Sequence, residues 1–251
     1  MKRTCRAAGL VTGLMIAGGV LIAAEDKPAA EKKLTRVLLI TGRDVPVHPW
    51  RETTPILREH LEKSGEFEVV VCEEPLVLES TALQSYDVVL LNYYNWQRPG
   101  ITPKAQQNLL GFVREGKGLV SFHFSVRAFE DWPEYRNLIG RIWTRPSGHG
   151  PRGRFEVKIR DREHFITKGV NDFTADDELY ARLVGDAPIH VLVEAWSEWS
   201  KQVEPLAWTL DYGKGRVFNI VLGHDAKAVR DPNFARLFVR GSLWAARKDG
   251  P

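Results

Sequence analysis

Residues 36–72 read RVLLITGRDVPVHPWRETTPILREHLEKSGEFEVVVC and contain two strand patterns separated by a helix pattern. The run RVLLI is continuously apolar after its first residue, which is typical of a strand in a sheet covered on both faces. TPILREHLEKSG predicts a helix over residues 54–65, with Pro55 in its first turn and Gly65 at its end. FEVVVC predicts the second strand, so this stretch indicates a strand-helix-strand unit.

The same alternation continues to residue 124. YDVVLLN (86–92) predicts a third strand, TPKAQQNLLGFVREGKG (102–118) an amphipathic helix, and GLVSFHF (118–124) a fourth strand. This order and spacing predict an α/β fold with a doubly wound, mainly parallel sheet.

Further strands are predicted in the second half of the chain. RFEVKI, HVLVEAW, PLAWTLD and GRVFNIVLG are strand-like, and DYGKG (211–215) is a hairpin-type turn between the last two. WPEYRNLIG (132–140) predicts one short helix. DPNFARLFVRGSLWAARK (231–248) predicts a closing helix, with Asp231 as its N-cap and Pro232 at its first position.

The first 33 residues have a different composition. Lys2, Arg3 and Arg6 precede the apolar run 7–24, which ends in small residues, and this pattern predicts a signal peptide over residues 1–24. An uncleaved membrane anchor is the alternative, because the run approaches the length of a single span. A polar, Ala/Pro-rich linker over residues 25–33 then leads into one domain, residues 34–248. We therefore expect an exported protein, periplasmic or extracellular.

Charge and cysteine content argue against nucleic-acid binding and against a disulfide-stabilised fold. The predicted signal peptide holds three of the 35 Lys and Arg residues, so the remainder balances the 32 acidic residues and gives no basic footprint for nucleic acid. Cys5 is removed with the signal peptide, which leaves Cys72 and no internal disulfide. Cys72 ends an apolar run, as a small buried side chain does.

Three predicted strands end in histidines. Strand one leads into Arg43, His48 and Trp50, strand four ends at His123 and Ser125, and the last strand ends at Gly223, His224 and Asp225. Because ligands bind at the carboxyl ends of strands in open α/β sheets, we expect these residues to lie near one site.

The same residues could instead have structural roles. His48 could cap the helix or stack on Trp50, and His123 could be a hydrogen-bonded core histidine. Asp225 could orient His224, and Arg43 could be a surface charge.

Two further segments add candidate site residues. TADDELYARL (174–183) contains Glu178 and Tyr180, and we expect Glu178 to turn inward although acidic runs are usually solvated. SGHGPRG (147–153) places His149 in a glycine-rich loop that could cover a site. Histidines with one glutamate can hold a divalent metal ion, or they can act as acid/base groups on a polyol.

Several ordered motifs resemble the trehalose-utilisation, or ThuA-like, family over about residues 34–247. They are His123 with Ser125, DWPEY, DELY, and GHD ahead of the pattern F-x-R-L-x-x-R-G-x-x-W-A. The resemblance implies a fold similar to the class I glutamine amidotransferase-like, flavodoxin-type three-layer sandwich. It also implies metabolism of trehalose and related 3-keto-glycosides, with His48, His123, Glu178, Tyr180, His224 and Asp225 as site candidates.

An amidotransferase of this fold needs a nucleophilic Cys after a central strand, and the corresponding segment here reads FHFSVR. We therefore do not expect this protein to hydrolyse glutamine with a Cys triad. Ser125 lacks the G-x-S-x-G context of a serine nucleophile.

We predict an enzyme acting on a sugar or glycoside, a hydrolase, lyase or isomerase, with a non-catalytic carbohydrate-binding module as the alternative. In this prediction His224 is the base, oriented by Asp225, and Glu178 or His123 is its acid partner or a metal ligand. The candidate catalytic residues are His224, Asp225, Glu178 and His123. The candidate substrate-binding residues are Arg43, His48, Trp50, Ser125, Tyr180 and His149. The candidate ligands for a divalent metal ion are His48, His123, Glu178 and His224.

Overall fold

The computed structural model describes residues 32–250. The predicted signal peptide, residues 1–24, and nearly all of the predicted linker, residues 25–33, lie outside the described residues. Between residues 32 and 250, no helix combines the length and the hydropathy that a membrane-spanning segment needs.

The described chain alternates strands and helices and then adds a strand-rich segment before its last helices. The strands are β1 (Thr35–Ile40), β2 (Phe67–Cys72), β3 (Val88–Leu91), β4 (Gly118–Phe122), β5 (Gly148–His149), β6 (Gly153–Ile159), β7 (Phe173–Asp177), β8 (Tyr180–Ala181), β9 (His190–Ser197), β10 (Gln202–Tyr212) and β11 (Gly215–Ile220). The α-helices are α1 (Trp50–Lys63), α2 (Pro103–Arg114), α3 (Pro133–Ile139), α4 (Ala226–Val229) and α5 (Pro232–Ala245). Short 3₁₀ helices span Pro75–Glu79, Thr81–Ser85 and His123–Arg127.

One nine-stranded sheet has the order β2-β1-β3-β4-β11-β10-β9-β6-β7. The strands β2, β1, β3, β4 and β11 are parallel to one another. From β11 onward, β10, β9, β6 and β7 continue the sheet in antiparallel pairs. The predicted α/β fold, a mainly parallel sheet with additional antiparallel strands from the second half, is confirmed.

Helices cover both faces of the parallel strands, which explains why those strands are apolar without alternation. All four residues of β3 and residues 37–40 of β1 are fully buried. Phe122 at the end of β4 packs edge-on against Phe234 and Phe238 of α5. On the opposite face, α3 packs over β11, and the Trp208 indole N–H donates to the Ile139 carbonyl 2.8 Å away.

Two boundaries near the site differ from the prediction. Helix α1 begins at Trp50 rather than at residue 54, so Pro55 lies in the second turn instead of the first. Strand β4 ends at Phe122 because His123 takes a positive φ of 44°, and a 3₁₀ turn follows. A positive φ is uncommon for a residue with a side chain, and it turns His123 out of the strand alternation.

The parallel strands set the position of the candidate residues. Because β1, β3, β4 and β11 run in one direction, the segments after all four strands emerge at the same edge of the sheet. β11 meets that edge only because it pairs in parallel with β4 while pairing antiparallel with β10.

Candidate functional site

Four side chains from distant segments meet at the carboxyl edge of the parallel strands. His48 lies between β1 and α1, His123 follows β4, His224 follows β11, and Glu178 lies between β7 and β8. One ligand atom from each of these residues lies within 4.8 Å of the corresponding atoms of the others. We call these four residues the His/Glu cluster.

His123 is the most buried member of the His/Glu cluster, with no exposed surface. Its Nδ1 lies 2.7 Å from the Val221 carbonyl oxygen, and a carbonyl only accepts, so Nδ1 carries the proton. The lone pair is therefore on Nε2, which lies 3.0 Å from the Tyr180 hydroxyl and 3.8 Å from Glu178 Oε2. This arrangement fixes the tautomer, as a backbone carbonyl commonly does behind a metal-binding histidine.

His48 is held by ring contacts. Its imidazole stacks on Phe124 with a centroid distance of 4.7 Å and an interplanar angle of 6°. It meets the rings of His123 and His224 edge-on, at 5.0 Å in each case. Nε2 of His48 lies 3.4 Å from the Tyr180 hydroxyl, and its buried Nδ1 has no hydrogen-bond partner.

His224 and Glu178 are the closest pair, with 2.9 Å between His224 Nδ1 and Glu178 Oε2. The two atoms are not aligned as a hydrogen bond, so the buried Nδ1 of His224 also has no hydrogen-bond partner. His48 Nδ1 is thus a buried nitrogen without a hydrogen-bond partner, which is unusual, whereas His224 Nδ1 has the Glu178 carboxylate beside it.

Asp177 positions both His224 and Glu178 and was missed by the sequence reasoning. Its Oδ1 accepts hydrogen bonds from the backbone N–H groups of Glu178 (2.9 Å) and His224 (3.0 Å), and its Oδ2 accepts from Gly223 N–H (2.6 Å). The period of two in β7 could have revealed it, because Ala175 and Asp177 share the buried face while Asp176 points outward.

Gly223 lets the chain pass close to the aromatic core at this point. Its φ is +105°, and a Cβ built there would lie 2.5 Å from the Phe122 ring. The turn that presents His224 therefore requires glycine, both for its backbone conformation and for its lack of a side chain.

Burial and mutual contact determine the charges of the His/Glu cluster. Burial lowers the pKa of His48 to about 2 and that of His123 to about 3, with the field of His224 adding in both cases. Burial opposes ionisation of His224 and Glu178 too, but their contact outweighs it, so the pKa of His224 is raised and that of Glu178 is lowered. At neutral pH the cluster therefore offers two neutral imidazoles and an ionised carboxylate.

A cavity of about 130 Å³ opens above the His/Glu cluster. Its lining includes His48, Glu178, Tyr180 and His149, together with aromatic residues such as Trp143. His149 Nδ1 lies 2.7 Å from the Gly150 carbonyl oxygen, so its lone pair is on Nε2, 3.8 Å from Glu178 Oε1. His149 and Tyr180 thus lie where a ligand in the cavity would meet them.

Asp225 does not make the contact expected of it. Its Oδ1 caps α4 by accepting from the backbone N–H groups of Lys227 and Ala228, and its Oδ2 pairs with Arg152 at 2.8 Å. The carboxylate beside the His224 ring belongs to Glu178, since the chain turns into α4 directly after His224 and Asp225 is the residue at its N-cap.

Three other predicted substrate-binding residues lie outside the cavity. Arg43 lines a separate cavity with Tyr93. Trp50 is buried at the start of α1, where its indole N–H donates to Asp44 Oδ1 at 2.8 Å. Ser125 is fully buried, and its hydroxyl donates to the Leu91 carbonyl at 2.8 Å and accepts from Tyr93 N–H at 3.0 Å. Its oxygen joins the segment after β4 to the end of β3 and does not line the cavity.

The donor set of the His/Glu cluster fits a divalent transition metal. Imidazole nitrogens with a carboxylate suit Zn²⁺ and neighbouring ions, whereas Mg²⁺ and Ca²⁺ prefer oxygen-only sets. Ligands about 2.1 Å from one ion lie at most roughly 4.2 Å apart, so small side-chain movements would bring the cluster into contact with one ion. The buried Nδ1 of His48, which has no hydrogen-bond partner, supplies a second reason.

The sequence was compared with protein-family models and with curated proteins. The family model described as ThuA, trehalose utilisation, matches residues 36–245. Among curated proteins, the sequence has no match.

Solved structures show the same architecture. A putative ThuA-like protein from Parabacteroides merdae ATCC 43184 is 27% identical, with a TM-score of 0.76 over 86% of this chain and 91% of its own. A putative ThuA-like protein from Bacteroides uniformis ATCC 8492 is 18% identical, with a TM-score of 0.69 over 89% of this chain and 95% of its own. A β-galactosidase from Bacillus circulans sp. alkalophilus is 15% identical, with a TM-score of 0.57 over 84% of this chain and 31% of its own, which is a likeness of fold.

The family match covers most of the chain, including all four residues of the His/Glu cluster. It supports a function related to carbohydrates and confirms the resemblance drawn from the sequence motifs. The chain belongs to the ThuA, or trehalose-utilisation, family.

Proposed function

We propose that this protein is an enzyme that acts on a sugar or glycoside by metal-assisted acid/base chemistry at the His/Glu cluster. The observation that carries the proposal is the meeting of three buried or half-buried imidazoles and one carboxylate beside a cavity that His48 and Glu178 line. The buried Nδ1 of His48 also has no hydrogen-bond partner. Clusters of perturbed ionisable groups in a cavity are typical of functional sites.

The roles within the cluster follow from access to the cavity. His48 and His123 would hold the ion through unprotonated nitrogens, and His224 would join them by releasing the proton that Glu178 stabilises in the metal-free protein. Glu178 lines the cavity whereas His224 does not, so Glu178 is better placed than His224 to take a proton from a substrate. The lowered pKa of Glu178 keeps it ionised, which is the form a general base needs.

The other cavity residues would position the substrate. The Tyr180 hydroxyl lies within 3.4 Å of both His48 and His123, and His149 Nε2 faces Glu178 from the other side. A bound divalent ion supplies stabilisation of negative charge that develops on a substrate oxygen. A carbonyl-bearing sugar such as a 3-keto-glycoside would use this combination, since Glu178 could remove the proton beside its carbonyl group.

Two variants separate binding of the metal from the chemistry. We expect His224→Ala to lose both bound metal and turnover of keto-glycosides, and Glu178→Gln to keep the metal while losing turnover. His190→Ala is the matched control, because His190 pairs with Asp161 outside this cavity. Metal content by elemental analysis and turnover by product chromatography are the readouts. Full turnover in Glu178→Gln would refute the role of Glu178.

A non-catalytic sugar-binding module is the second candidate. The aromatic residues Tyr94, Trp96 and Trp143 line the cavity, and aromatic faces stack on sugar rings as readily in binding proteins as in enzymes. Saturable glycoside binding without any turnover by the metal-loaded protein would favour this candidate.

We further propose that the protein is exported, on the basis of the basic and apolar pattern of residues 1–24. Cell fractionation with N-terminal sequencing tests this proposal. A mature N-terminus near residue 25 outside the cytoplasm would support it, and an intact N-terminus in the cytoplasmic fraction would refute it.

A further inference from the structure

One part of the cavity above the His/Glu cluster is apolar. Val45, Tyr94 and Phe124 are buried against one another with Trp96 packed on them, and this group is separate from the main hydrophobic core. We call these four residues the apolar wall. All four also line the cavity. They come from the three segments that follow β1, β3 and β4, so they surround the same edge as the His/Glu cluster.

The apolar wall offers a ligand almost no polar atoms. Val45 and Phe124 have none in their side chains, the Tyr94 hydroxyl is occupied as a donor to Glu130 Oε1 at 3.3 Å, and the indole N–H of Trp96 is the remaining side-chain donor of the wall. Phe124 also carries the stacked His48 ring, so the wall directly adjoins the His/Glu cluster. A hydroxyl group placed against Val45 or Phe124 would lose its bonds to water without replacement, which is costly, whereas an apolar group would gain free energy by leaving water.

Away from the proposed metal ion, the side chains that line the cavity offer no partner for an anionic group. Among the described residues that line it, Arg127 carries the permanent positive charge, and its guanidinium is paired with Glu130. The same guanidinium lies 5.2 Å from the centre of the Tyr94 ring. No unpaired Lys or Arg in this described lining is therefore available to neutralise a phosphate or carboxylate group.

We propose that the ligand of this site is an uncharged glycoside with an aromatic aglycone. Its sugar ring faces the His/Glu cluster and His149, and its aglycone lies on the apolar wall. This inference rests on the proposed function, that the site takes a sugar, and it specifies the second half of the molecule. A disaccharide such as trehalose would instead place the hydroxyl groups of its second ring against Val45 and Phe124.

Isothermal titration calorimetry on the full chain, loaded with Zn²⁺, tests the proposal. The probes are the 4-nitrophenyl and methyl glucosides in both anomeric forms, trehalose, and glucose 6-phosphate. We expect a 4-nitrophenyl glucoside to bind at least tenfold more tightly than the methyl glucoside of the same anomer. Trehalose and glucose 6-phosphate should bind more weakly than the 4-nitrophenyl glucoside.

Variants assign that preference to the apolar wall. Trp96→Ala should reduce the ratio between the two glucosides to below threefold, and Trp96→Phe should restore most of it. The matched control is Trp196→Ala, because Trp196 is half exposed on β9 and does not line this cavity; it should leave the ratio unchanged. Trp96 lies in a loop and is only partly buried, so these variants are expected to fold.

The outcomes separate this inference from the proposed function. Equal binding of nitrophenyl and methyl glucosides, tighter binding of trehalose, or a ratio that Trp96→Ala does not change would overturn the aromatic aglycone while leaving a sugar site in place. Absence of binding by every glycoside, in protein that holds its metal, would overturn both.

Discussion

Replacing Gly223 with alanine tests the local structure on which the site depends. Gly223 has a φ of +105°, a conformation that costs a residue with a side chain about 1–2 kcal/mol. The new Cβ would also lie 2.5 Å from the Phe122 ring and 3.1 Å from the Phe234 ring, and such overpacking costs about 1–3 kcal/mol. Gly223→Ala should therefore lower the free energy of unfolding by about 2–5 kcal/mol.

Gly65 provides the matched control for this experiment. It also has a positive φ, +71°, but a Cβ there would meet no atom within 4 Å. Gly65→Ala should thus show only the backbone cost of about 1–2 kcal/mol. The difference between the two variants measures the steric contribution of the aromatic core.

Urea unfolding followed by tryptophan fluorescence gives both free energies, and metal titration adds a functional readout. Relieving the overlap must move the backbone at residue 223, which donates to Asp177 together with the N–H of His224. Gly223→Ala should therefore also bind metal more weakly than the wild type, while Gly65→Ala should not. A Gly223→Ala variant that is no less stable than Gly65→Ala and binds metal normally would refute this reasoning.

Three further predictions concern the polar residues around the site. Burial raises the pKa of Asp177 from 3.8 to about 6, so the folded state holds this proton more tightly than the unfolded state. Its stabilising contribution is complete below the unfolded pKa of 3.8 and is lost as the pH rises through about 6. The stability of metal-free wild type relative to Asp177→Asn should therefore fall by about 2 kcal/mol from pH 4 to 7; a difference that does not vary with pH would contradict this. Asp225→Asn should keep full metal content and cost under about 1 kcal/mol in urea unfolding, because its pair with Arg152 is partly exposed; loss of metal would restore it as a partner of His224. Ser125→Ala should lower the unfolding free energy by about 1–3 kcal/mol through its two buried hydrogen bonds while keeping the metal, and a loss of turnover at unchanged metal content would instead assign its hydroxyl to the substrate.

Strand patterns carried most of the fold prediction. Fully apolar runs such as VLLI in β1 have few alternatives to a strand covered on both faces, and β2 was predicted at its observed boundaries. The short strand β7 was not predicted, because its acidic sequence FTADD resembles a solvated segment. Its pairing with β6 and the backbone bonds to Asp177 hold it in place, and both are contacts between segments far apart in the sequence.

The candidate site could be predicted where residues follow parallel strands. His48, His123 and His224 meet because β1, β4 and β11 end at one edge, and parallel pairing of β11 was the assumption on which this depended. The sequence alone could not show which other residues of the same loops have structural partners and so take no part in the cluster. Trp50 is buried at the start of α1 and donates a hydrogen bond to Asp44. The Asp225 side chain accepts hydrogen bonds at the N-terminus of α4.

The proposed function requires that His48, His123 and His224 hold one metal ion, with Glu178 beside it as the base. Crystals of the protein grown after loading with Zn²⁺, measured at the zinc absorption edge, test it most directly. One strong anomalous peak per chain is expected, about 2.0–2.2 Å from a nitrogen of each of the three imidazoles and beside the cavity. The rings of His164 and His190 lie 5.5 Å apart outside this cavity. A peak at that pair instead, or a fully loaded crystal with no peak among His48, His123 and His224, would refute the assignment.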